Sequence, residues 1–333
     1  MKRSRLFGWS LLLLIAYCTL GAVVYFASLL LVQRGMVLDV PWIISAQKAL
    51  YRAGMTNQAT NWMGLPGCIT SDPDLVYKPS IGACRFDHIE FDITLTFTDK
   101  GRVTGTRPAG TGIAVIGDSH AMGWGVDDEE TYAARLQALS GRPVYNLGVA
   151  SYGTARELIR LDKSGLVDQV DTVIIQYCNN DYNENLQFDS ASRGQLHDKV
   201  FGQPRSEPAS PPGKAKQIAR GYWLTLKAPF SSLANKLRRK NFNRHYGPLL
   251  SAMRKHYDVL RGKRVIVFYS NPFGQKYRNY PSGPDPELPN VSFVDLGLDW
   301  TNYYRLDGHL TPAGHRRAAE RLYRYLQTES PSD

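Results

Sequence analysis

The amino-acid sequence predicts an α/β fold in which helices cover both faces of a parallel sheet. Two observations carry this prediction. Short and almost entirely apolar segments recur from residue 112 onward, and each is followed by a segment with the periodicity of an amphipathic helix. Strands that are buried on both faces have this continuous apolar character. The chain has 333 residues, 43% of them hydrophobic and 21% charged, which suffices for a core without disulfides or metals.

The first element is an uncharged apolar segment at residues 6–32, longer than the roughly 20 residues that a membrane-spanning helix needs. It also exceeds the apolar core of a cleavable signal peptide, so we expect it to be retained as an anchor. Three basic residues precede the segment and one follows it closely, namely Lys2, Arg3, Arg5 and Arg34. This asymmetry predicts a single pass through the inner (plasma) membrane, with residues 1–35 as cytoplasmic tip and anchor and the remainder periplasmic or extracellular.

Residues 36–110 are predicted to be a juxtamembrane and β-rich accessory region. Apolar and polar side chains alternate strictly from residue 88 to residue 97, as in a strand with one buried face. Export makes disulfides possible, and Cys68 and Cys84 lie together in this soluble region. We expect these two cysteines to pair, the alternative being two free thiols.

Five strands and four helices are predicted in the main domain, which covers residues 111–333. The strands are expected at residues 113–116, 143–148, 172–177, 264–269 and 291–296. The helices are expected at residues 129–139, 154–161, 248–260 and 313–326. In a sheet of this kind, ligands bind beyond the carboxyl ends of the strands.

A strongly basic insertion, at about residues 193–264, separates the third strand from the fourth. It holds 17 Lys or Arg residues and three acidic ones, a net charge of +14 in a chain whose total is +10, so the remainder is −4. Residues 203–213 have the composition of a flexible loop. The insertion could be a solvated helix pair, or it could contact anionic lipid headgroups, an anionic glycan or a partner enzyme. Nucleic acid is not expected, because an exported chain does not meet it and no nucleic-acid-binding fold is recognisable.

Residues able to perform nucleophilic catalysis stand after the first and last predicted strands. Ser119, in the sequence Gly-Asp-Ser-His, directly follows the first strand. A serine hydroxyl is a weak nucleophile and needs an adjacent base. His309, after the last strand, can accept the serine proton, and Asp307 can orient the imidazole and stabilise its cation.

Acyl transfer also requires N–H donors where negative charge develops on the carbonyl oxygen. Gly148 follows the second strand, and a glycine allows its backbone N–H to approach a ligand closely. Asn180 follows the third strand and offers a side-chain amide. With the N–H of Ser119, these groups would form a three-donor oxyanion hole.

The ordered set of Gly-Asp-Ser, Gly, Asn-Asp and a late Asp-x-His resembles the SGNH, or GDSL-type, hydrolase superfamily over about residues 112–327. The resemblance implies a flavodoxin-like three-layer α/β/α sandwich. It also implies specific roles for Ser119 as nucleophile and first oxyanion donor, Gly148 and Asn180 as the other donors, His309 as base and Asp307 as its partner. The Asp-x-His spacing is shorter than the common Asp-x-x-His and is similar to that of membrane-linked members that handle acyl groups on bacterial surface glycans.

This resemblance and the anchor together predict an exported, membrane-anchored serine esterase. Its substrate would be an acylated, most simply O-acetylated, cell-envelope glycan or lipid-linked molecule, cleaved through an acyl-serine intermediate. The same residues could instead transfer the acyl group to a sugar hydroxyl, and a non-catalytic glycan- or lipid-binding role is the alternative of another class. No metal or organic cofactor is expected, because the sequence has no common metal or nucleotide motif and serine chemistry needs none.

Overall fold

The computed structural model describes residues 2–55, 64–65, 67–202, 214–238, 246–271, 281 and 285–328. The chain divides into two compact units, of which the larger contains the strands and most helices, and the smaller contains three helices. The loop predicted at residues 203–213 lies outside the described residues.

The larger unit is an α/β structure. Its strands are β1 (Ile69–Asp72), β2 (Val76–Pro79), β3 (Gly82–His88), β4 (Phe91–Thr98), β5 (Gly101–Arg102), β6 (Gly112–Ile116), β7 (Val144–Asn146), β8 (Val170–Tyr177), β9 (Arg264–Tyr269) and β10 (Val291–Val294). Its helices are α3 (Ser119–Met122), α4 (Tyr132–Ser140), α5 (Thr154–Lys163), α6 (Asn179–Ser190), α7 (Arg193–His197), α9 (Gly247–Lys255), α10 (Tyr257–Leu260) and α11 (Pro312–Thr328), and the smaller unit holds α1 (Lys2–Gln33), α2 (Pro41–Arg52) and α8 (Lys214–Arg238).

An eight-stranded sheet runs through the larger unit in the order β10-β9-β8-β6-β7-β5-β4-β3. The five strands from β10 to β7 are parallel, and the remaining three continue the sheet in antiparallel fashion. The parallel part confirms the predicted flavodoxin-like α/β fold, since the chain order along it reverses at β6. The carboxyl ends of β6 and β8 therefore flank the crevice where such folds bind ligands.

The central strand β6 contributes side chains to the hydrophobic cores on both faces of the sheet. Ile113 and Val115 pack with residues of α4 and α11 on one face, whereas Ala114 and Ile116 pack with residues of α5 and α9 on the other. Successive side chains of a strand point to opposite faces, so an apolar residue at every position is required. This is the physical reason for the continuous apolar character of the strand.

Strands β3, β4 and β5 of the β-rich region extend the main sheet, whereas β1 and β2 pair with each other in a separate two-stranded sheet. Arg102 of β5 pairs with Asn146 of β7, which joins β3, β4 and β5 to the parallel strands. The strand predicted at residues 88–97 is confirmed from Phe91 onward, where β4 has alternating buried and exposed residues, but its start was wrong, because β3 ends at His88 and a two-residue turn leads into β4. His88 is buried and stacks on Phe91 with ring centroids 4.4 Å apart, so it occupies the inner face although the alternation had assigned it to the polar one.

Cys68 and Cys84 are joined by a disulfide in the structure, with Cα atoms 5.4 Å apart. The bond connects the segment before β1 to the edge strand β3, and both cysteines are buried. Cys178 is a buried free thiol at the end of β8, as expected for a small core residue.

The smaller unit consists of α1, α2 and α8, with residues 305–307 of the loop before α11. Helix α1 includes an apolar segment, Gly8–Gln33, that is long enough to cross a membrane. Helix α8 comes from the basic insertion and packs on α1 and α2, so the insertion does not belong as a whole to the domain predicted at residues 111–333. No local sequence pattern indicates this partnership, because α1 and α8 lie about 200 residues apart in the chain.

One buried cation fixes the loop that follows α3. The side chain of Arg102 is fully buried, and its Nε lies 2.7 Å from Oδ1 of Asp128. Its other nitrogens donate to the backbone carbonyls of Met122, Gly123 and Val126 at 2.8, 2.6 and 2.6 Å. A buried guanidinium is tolerated only when its donors are satisfied in this way.

We predict that Arg102→Ala destabilises the larger unit by about 3–5 kcal/mol, because it leaves three backbone carbonyls without this donor and removes the guanidinium that neutralises the half-buried carboxylate of Asp128. Arg142→Ala is the matched control, since Arg142 pairs with Asp171 on the surface and such pairs contribute at most about 1 kcal/mol. Urea unfolding of the detergent-solubilised chain measures both. Equal shifts in the two variants would contradict the role of Arg102.

Candidate active site

The serine turn is a sharp exit from β6 into the short helix α3. Gly117 has φ +149°, and a Cβ at this position would lie 2.7 Å from both the Cβ of Ala121 and the Oε1 of Gln176. Asp118 then caps α3 by accepting the backbone N–H of His120 at 2.9 Å. Ser119 is the first residue of α3, at the carboxyl end of the central strand.

Gln176 braces this turn from the neighbouring strand, a role that the sequence did not reveal. Its Oε1 accepts the backbone N–H groups of Asp118 at 3.2 Å and Ala121 at 3.1 Å. The side chain is fully buried on β8. The only available signal was a single amide among the apolar side chains of residues 173–177 in β8, and that signal does not identify a partner.

The structure brings Ser119 and His309 together. The Oγ of Ser119 lies 2.6 Å from Nε2 of His309, although 190 positions separate the two residues. His309 follows Gly308, whose φ is +90°, and its carbonyl accepts the N–H of Tyr304 at 2.8 Å. The loop before α11 therefore turns back on itself and presents the imidazole to the serine.

Aromatic rings surround the imidazole of His309. The indole of Trp124 stacks on it, with centroids 4.8 Å apart and planes 19° apart. The ring of His120 lies 4.7 Å away, and its Nδ1 is 3.2 Å from the hydroxyl of Ser270. Phe86 of β3 packs edge-on against Trp124 at 4.8 Å. These contacts restrict rotation of the imidazole, and the indole face can stabilise its cation.

Gly148 occupies a position with no room for a side chain, since a Cβ would overlap the backbone of Ala121 and Met122. Its N–H donates to Oδ1 of Asn146 at 3.1 Å. In the structure, the N–H of Gly148 is therefore already hydrogen-bonded to the side chain of Asn146. Donation to an oxyanion would require the hydrogen to be shared or redirected.

Asn180 links the ends of β6 and β8. Its Nδ2 donates to Oδ2 of Asp118 at 2.9 Å, and its Oδ1 accepts from the thiol of Cys178 at 2.6 Å. An amide nitrogen carries two hydrogens, and Asp118 accepts one of them. The side chain of Asn180 is exposed, so its second hydrogen can reach a ligand.

The predicted partner of His309, Asp307, and a second histidine, His315, lie before and after His309 in the sequence. The carboxylate of Asp307 accepts a long hydrogen bond, 3.4 Å, from the hydroxyl of Tyr51, and residue 307 groups with the three-helix unit. His315 is fully buried in α11, and its Nδ1 accepts the N–H of Tyr132 at 3.1 Å. Burial lowers the pKa of His315 well below its ordinary value, so this imidazole is a neutral packing residue.

Among the described residues, no group of three or more His, Cys, Asp and Glu side chains has a geometry that could hold a metal ion.

The family model described as GDSL-like Lipase/Acylhydrolase matches residues 113–322, which is well over half of the chain. No curated protein sequence matches the chain. The matched segment begins in β6 and ends within α11, so it contains both Ser119 and His309.

Solved structures of low sequence identity are also similar. A putative lipolytic protein of the G-D-S-L family from Desulfitobacterium hafniense DCB-2 is 15% identical, with a TM-score of 0.37 over 64% of this chain and 98% of that one. A catalytic mutant of Axe2, an acetylxylan esterase from Geobacillus stearothermophilus, is 14% identical, with a TM-score of 0.35 over 67% and 96%. A two-domain esterase (CEX) active on acetylated mannans is 14% identical, with a TM-score of 0.38 over 67% and 51%.

Two buried carboxyl groups lie near the serine turn. Glu157 on α5 and Asp181 on α6 are almost completely inaccessible to solvent. Burial, followed by the charge of Asp118, raises the pKa of both groups well above the ordinary range. Asp181 accepts the N–H of Cys178 at 2.9 Å, whereas neither oxygen of Glu157 has a hydrogen-bond partner within the described part of the chain. We therefore expect Glu157 to keep its proton at pH values at which an exposed carboxyl group is ionised.

We predict that Glu157→Gln makes the stability of the larger unit less dependent on pH. The folded-state pKa of Glu157 lies above the ordinary value of 4.5. The contribution of Glu157 to the free energy of unfolding is therefore complete below about pH 4.5 and is lost as the pH rises toward the folded-state pKa. Each pH unit in that window costs the wild type about 1.4 kcal/mol that the glutamine variant does not lose.

Thermal unfolding of both proteins between pH 4 and pH 8 measures the difference. Glu320→Gln, on the exposed face of α11, is the control. Parallel stability profiles for wild type and Glu157→Gln would show that Glu157 is ionised in the folded state.

Proposed function

Because the chain belongs to the GDSL-like lipase and acylhydrolase family and is a carboxylic ester hydrolase, we propose that Ser119 and His309 perform its chemistry. The observation that carries this proposal is the 2.6 Å separation of Ser119 Oγ and His309 Nε2, the geometry of a nucleophile with its base. Ring contacts with Trp124 and His120 support it, because they hold the imidazole in this orientation.

In the proposed reaction, His309 Nε2 accepts the proton of Ser119 as Oγ attacks the carbonyl carbon of the ester. The imidazolium then gives this proton to the leaving alcohol, and an acyl-serine remains. Water attacks the acyl-serine by the reverse sequence, with His309 again as base. We assign Asp307 as the group that favours the imidazolium, an assignment that rests on its place two residues before His309.

The tetrahedral intermediate would be held by the N–H of Ser119, the N–H of Gly148 and the free amide hydrogen of Asn180. The positions of Ser119 after β6 and Asn180 after β8 support this assignment, since both flank the crevice at the strand reversal. For Gly148, the oxyanion would compete with the side chain of Asn146. A charged acceptor forms the stronger hydrogen bond, so the competition favours the intermediate.

We propose an O-acetylated cell-envelope glycan as the substrate, with the enzyme held at the membrane by residues 6–32. The apolar helix α1 supports the anchor, and the basic residues before it support a cytoplasmic N-terminus with an exported catalytic unit. An anchor keeps the enzyme near envelope polymers. The glycan itself is an expectation from the family resemblance.

We predict that Ser119→Ala abolishes labelling by a fluorophosphonate probe and that His309→Ala slows it strongly, because the hydroxyl then lacks its base. Hydrolysis of p-nitrophenyl acetate should fall by about 10³-fold or more in both variants. Labelling that is equally fast in His309→Ala would exclude His309 as the base. A well-folded wild type that does not react with the probe would favour a non-catalytic binding role.

The substrate proposal is tested by acetate release from a panel of O-acetylated glycans, with Ser119→Ala as the blank. Serine-dependent release supports glycan deacetylation. Transfer of acetyl groups to an added sugar acceptor at a higher rate than release of free acetate would instead assign the enzyme as an acyltransferase. Serine-dependent hydrolysis of p-nitrophenyl acetate without release from any glycan would retain the esterase and reject this substrate.

We predict that Asn180→Ala lowers kcat by about 10²–10³-fold with little change in KM, as expected for an oxyanion donor. Asn179→Ala is the control, because the neighbouring Asn179 uses its amide oxygen to accept a hydrogen bond from the hydroxyl of Tyr269. An increase in KM without a fall in kcat, or an equal fall in kcat in the two variants, would show that Asn180 only supports the loop.

A further inference from the structure

The N–H of Gly148, the second proposed oxyanion donor, belongs to the peptide group between Leu147 and Gly148. This N–H donates to Oδ1 of Asn146, and Nδ2 of Asn146 lies 3.5 Å from the carbonyl of Met122 in α3. The N–H is therefore on the side of the peptide group that faces the serine helix. The carbonyl of Leu147 points the opposite way, because the N–H and C=O of a trans peptide group are antiparallel.

Arg160 binds this peptide group from the carbonyl side. Its Nε, on helix α5, donates to the carbonyl of Leu147 at 2.9 Å. The residue is half-buried, and within the described part of the chain its side chain has no other hydrogen bond and no carboxylate at ion-pair distance. A partly desolvated guanidinium needs hydrogen-bond partners inside the protein. The partner that the structure provides is the backbone of the donor loop.

The Leu147–Gly148 peptide group needs such a contact, because glycine makes its rotation easy. A Cβ on Gly148 would lie 2.3 Å from the backbone nitrogen of Met122, so only glycine fits here. Glycine adopts positive and negative φ with similar ease, and the peptide group before it can therefore flip at little cost. A flip would direct the carbonyl oxygen of Leu147, instead of the N–H, at a developing oxyanion. The charge-assisted hydrogen bond from Arg160 opposes that flip.

The loop continues from Gly148 into a strained backbone at Ser151. The φ of Ser151 is +61°, and among the described residues Val76 is the only other non-glycine residue with positive φ. A residue with a Cβ keeps this conformation only where the surrounding contacts impose it, and strain of this kind is concentrated at functional sites. At Ser151 the contacts come from two side chains outside the loop.

These side chains hold the peptide groups on either side of Ser151. The hydroxyl of Tyr77, in β2, donates to the carbonyl of Ala150 at 2.6 Å. The Nη2 of Arg156, in α5, donates to the carbonyl of Ser151 at 2.7 Å. Because a peptide group is planar, fixing both groups fixes φ and ψ of the residue between them. The family match begins at residue 113, so Tyr77 binds the loop from outside the matched segment.

We propose that Arg160 and Tyr77 are positioning residues that hold residues 147–151 so that the N–H of Gly148 stays directed at the oxyanion. The proposal rests on the role proposed above for Gly148 in the oxyanion hole. In this role neither side chain touches the substrate, and each acts through the backbone carbonyl that it binds. Arg160 also polarises the peptide group, because a hydrogen bond at the carbonyl makes the N–H of the same group a better donor.

The test measures hydrolysis of p-nitrophenyl acetate by the detergent-solubilised full chain, and its inhibition by trifluoroacetone, a ketone that forms a tetrahedral oxyanion adduct with an active-site serine. We expect Arg160→Met to lower kcat by about 10–100-fold, somewhat less than outright loss of a donor, with little change in KM. The inhibition constant should rise by the same factor, since the adduct and the transition state use the same donors. Tyr77→Phe removes one hydroxyl and should lower kcat by about 2–10-fold, again without a change in KM.

Arg135→Met is the matched control, because Nε of Arg135, on helix α4, also donates to a backbone carbonyl, that of Glu130 at 3.1 Å. This variant should keep the kcat and the inhibition constant of the wild type. Thermal unfolding verifies that each variant is folded. If Arg160→Met does not fold, Tyr77→Phe decides the question from the same two constants.

Unchanged kcat in a folded Arg160→Met or Tyr77→Phe variant, with Ser119→Ala inactive, would overturn the positioning role and leave the proposed nucleophile in place. An increase in KM without a fall in kcat, or an equal fall in kcat in Arg135→Met, would overturn it as well. Hydrolysis that persists in Ser119→Ala would reject the proposed function, and the positioning role would fail with it.

Discussion

The reversal of strand order at β6 is the constraint on which the site depends. The two parallel neighbours of β6, namely β7 and β8, lie on opposite sides of it. The segments that follow β6 and β8 therefore diverge, and a crevice remains at the carboxyl ends of these two strands. Ser119 lies three residues after the end of β6, and Asn180 lies three residues after the end of β8. His309 enters the same place from the loop before α11. No local motif could create this meeting, because the participants come from three distant parts of the sequence.

The turn at Ser119 shows how much the surrounding residues contribute to a short motif. Gly117 supplies the backbone conformation, Gln176 binds two N–H groups of the turn, and Arg102 binds the carbonyls that follow α3. The position of the hydroxyl is thus fixed by buried polar groups on two other strands. Such groups are costly to bury, and a site is a common reason for a fold to retain them.

The sequence was sufficient for the strands of the parallel sheet and for the pairing of Ser119 with His309, because apolar continuity and strand-end position are local signals. It was insufficient where a contact depended on a distant partner. Neither the amide of Gln176 nor the guanidinium of Arg102 reveals what it binds. The turn after His88 was hidden because a buried histidine looks polar in an alternating pattern, and the basic composition of the insertion does not reveal that α8 packs on α1 and α2.

Strand β3, in the antiparallel part of the sheet, also contributes to the surroundings of His309, the candidate base. Its strand β3 places Phe86 edge-on against Trp124, and Trp124 stacks on the imidazole of His309. In the proposed reaction, the imidazole that accepts the proton of Ser119 becomes a cation against an indole face, an interaction of about 0.5–2 kcal/mol. This contact favours the charged form of the base in the transition state more than the neutral form before it, which is the condition for accelerating the reaction. The antiparallel strands therefore do more than protect the sheet edge, since they hold the ring that faces the base.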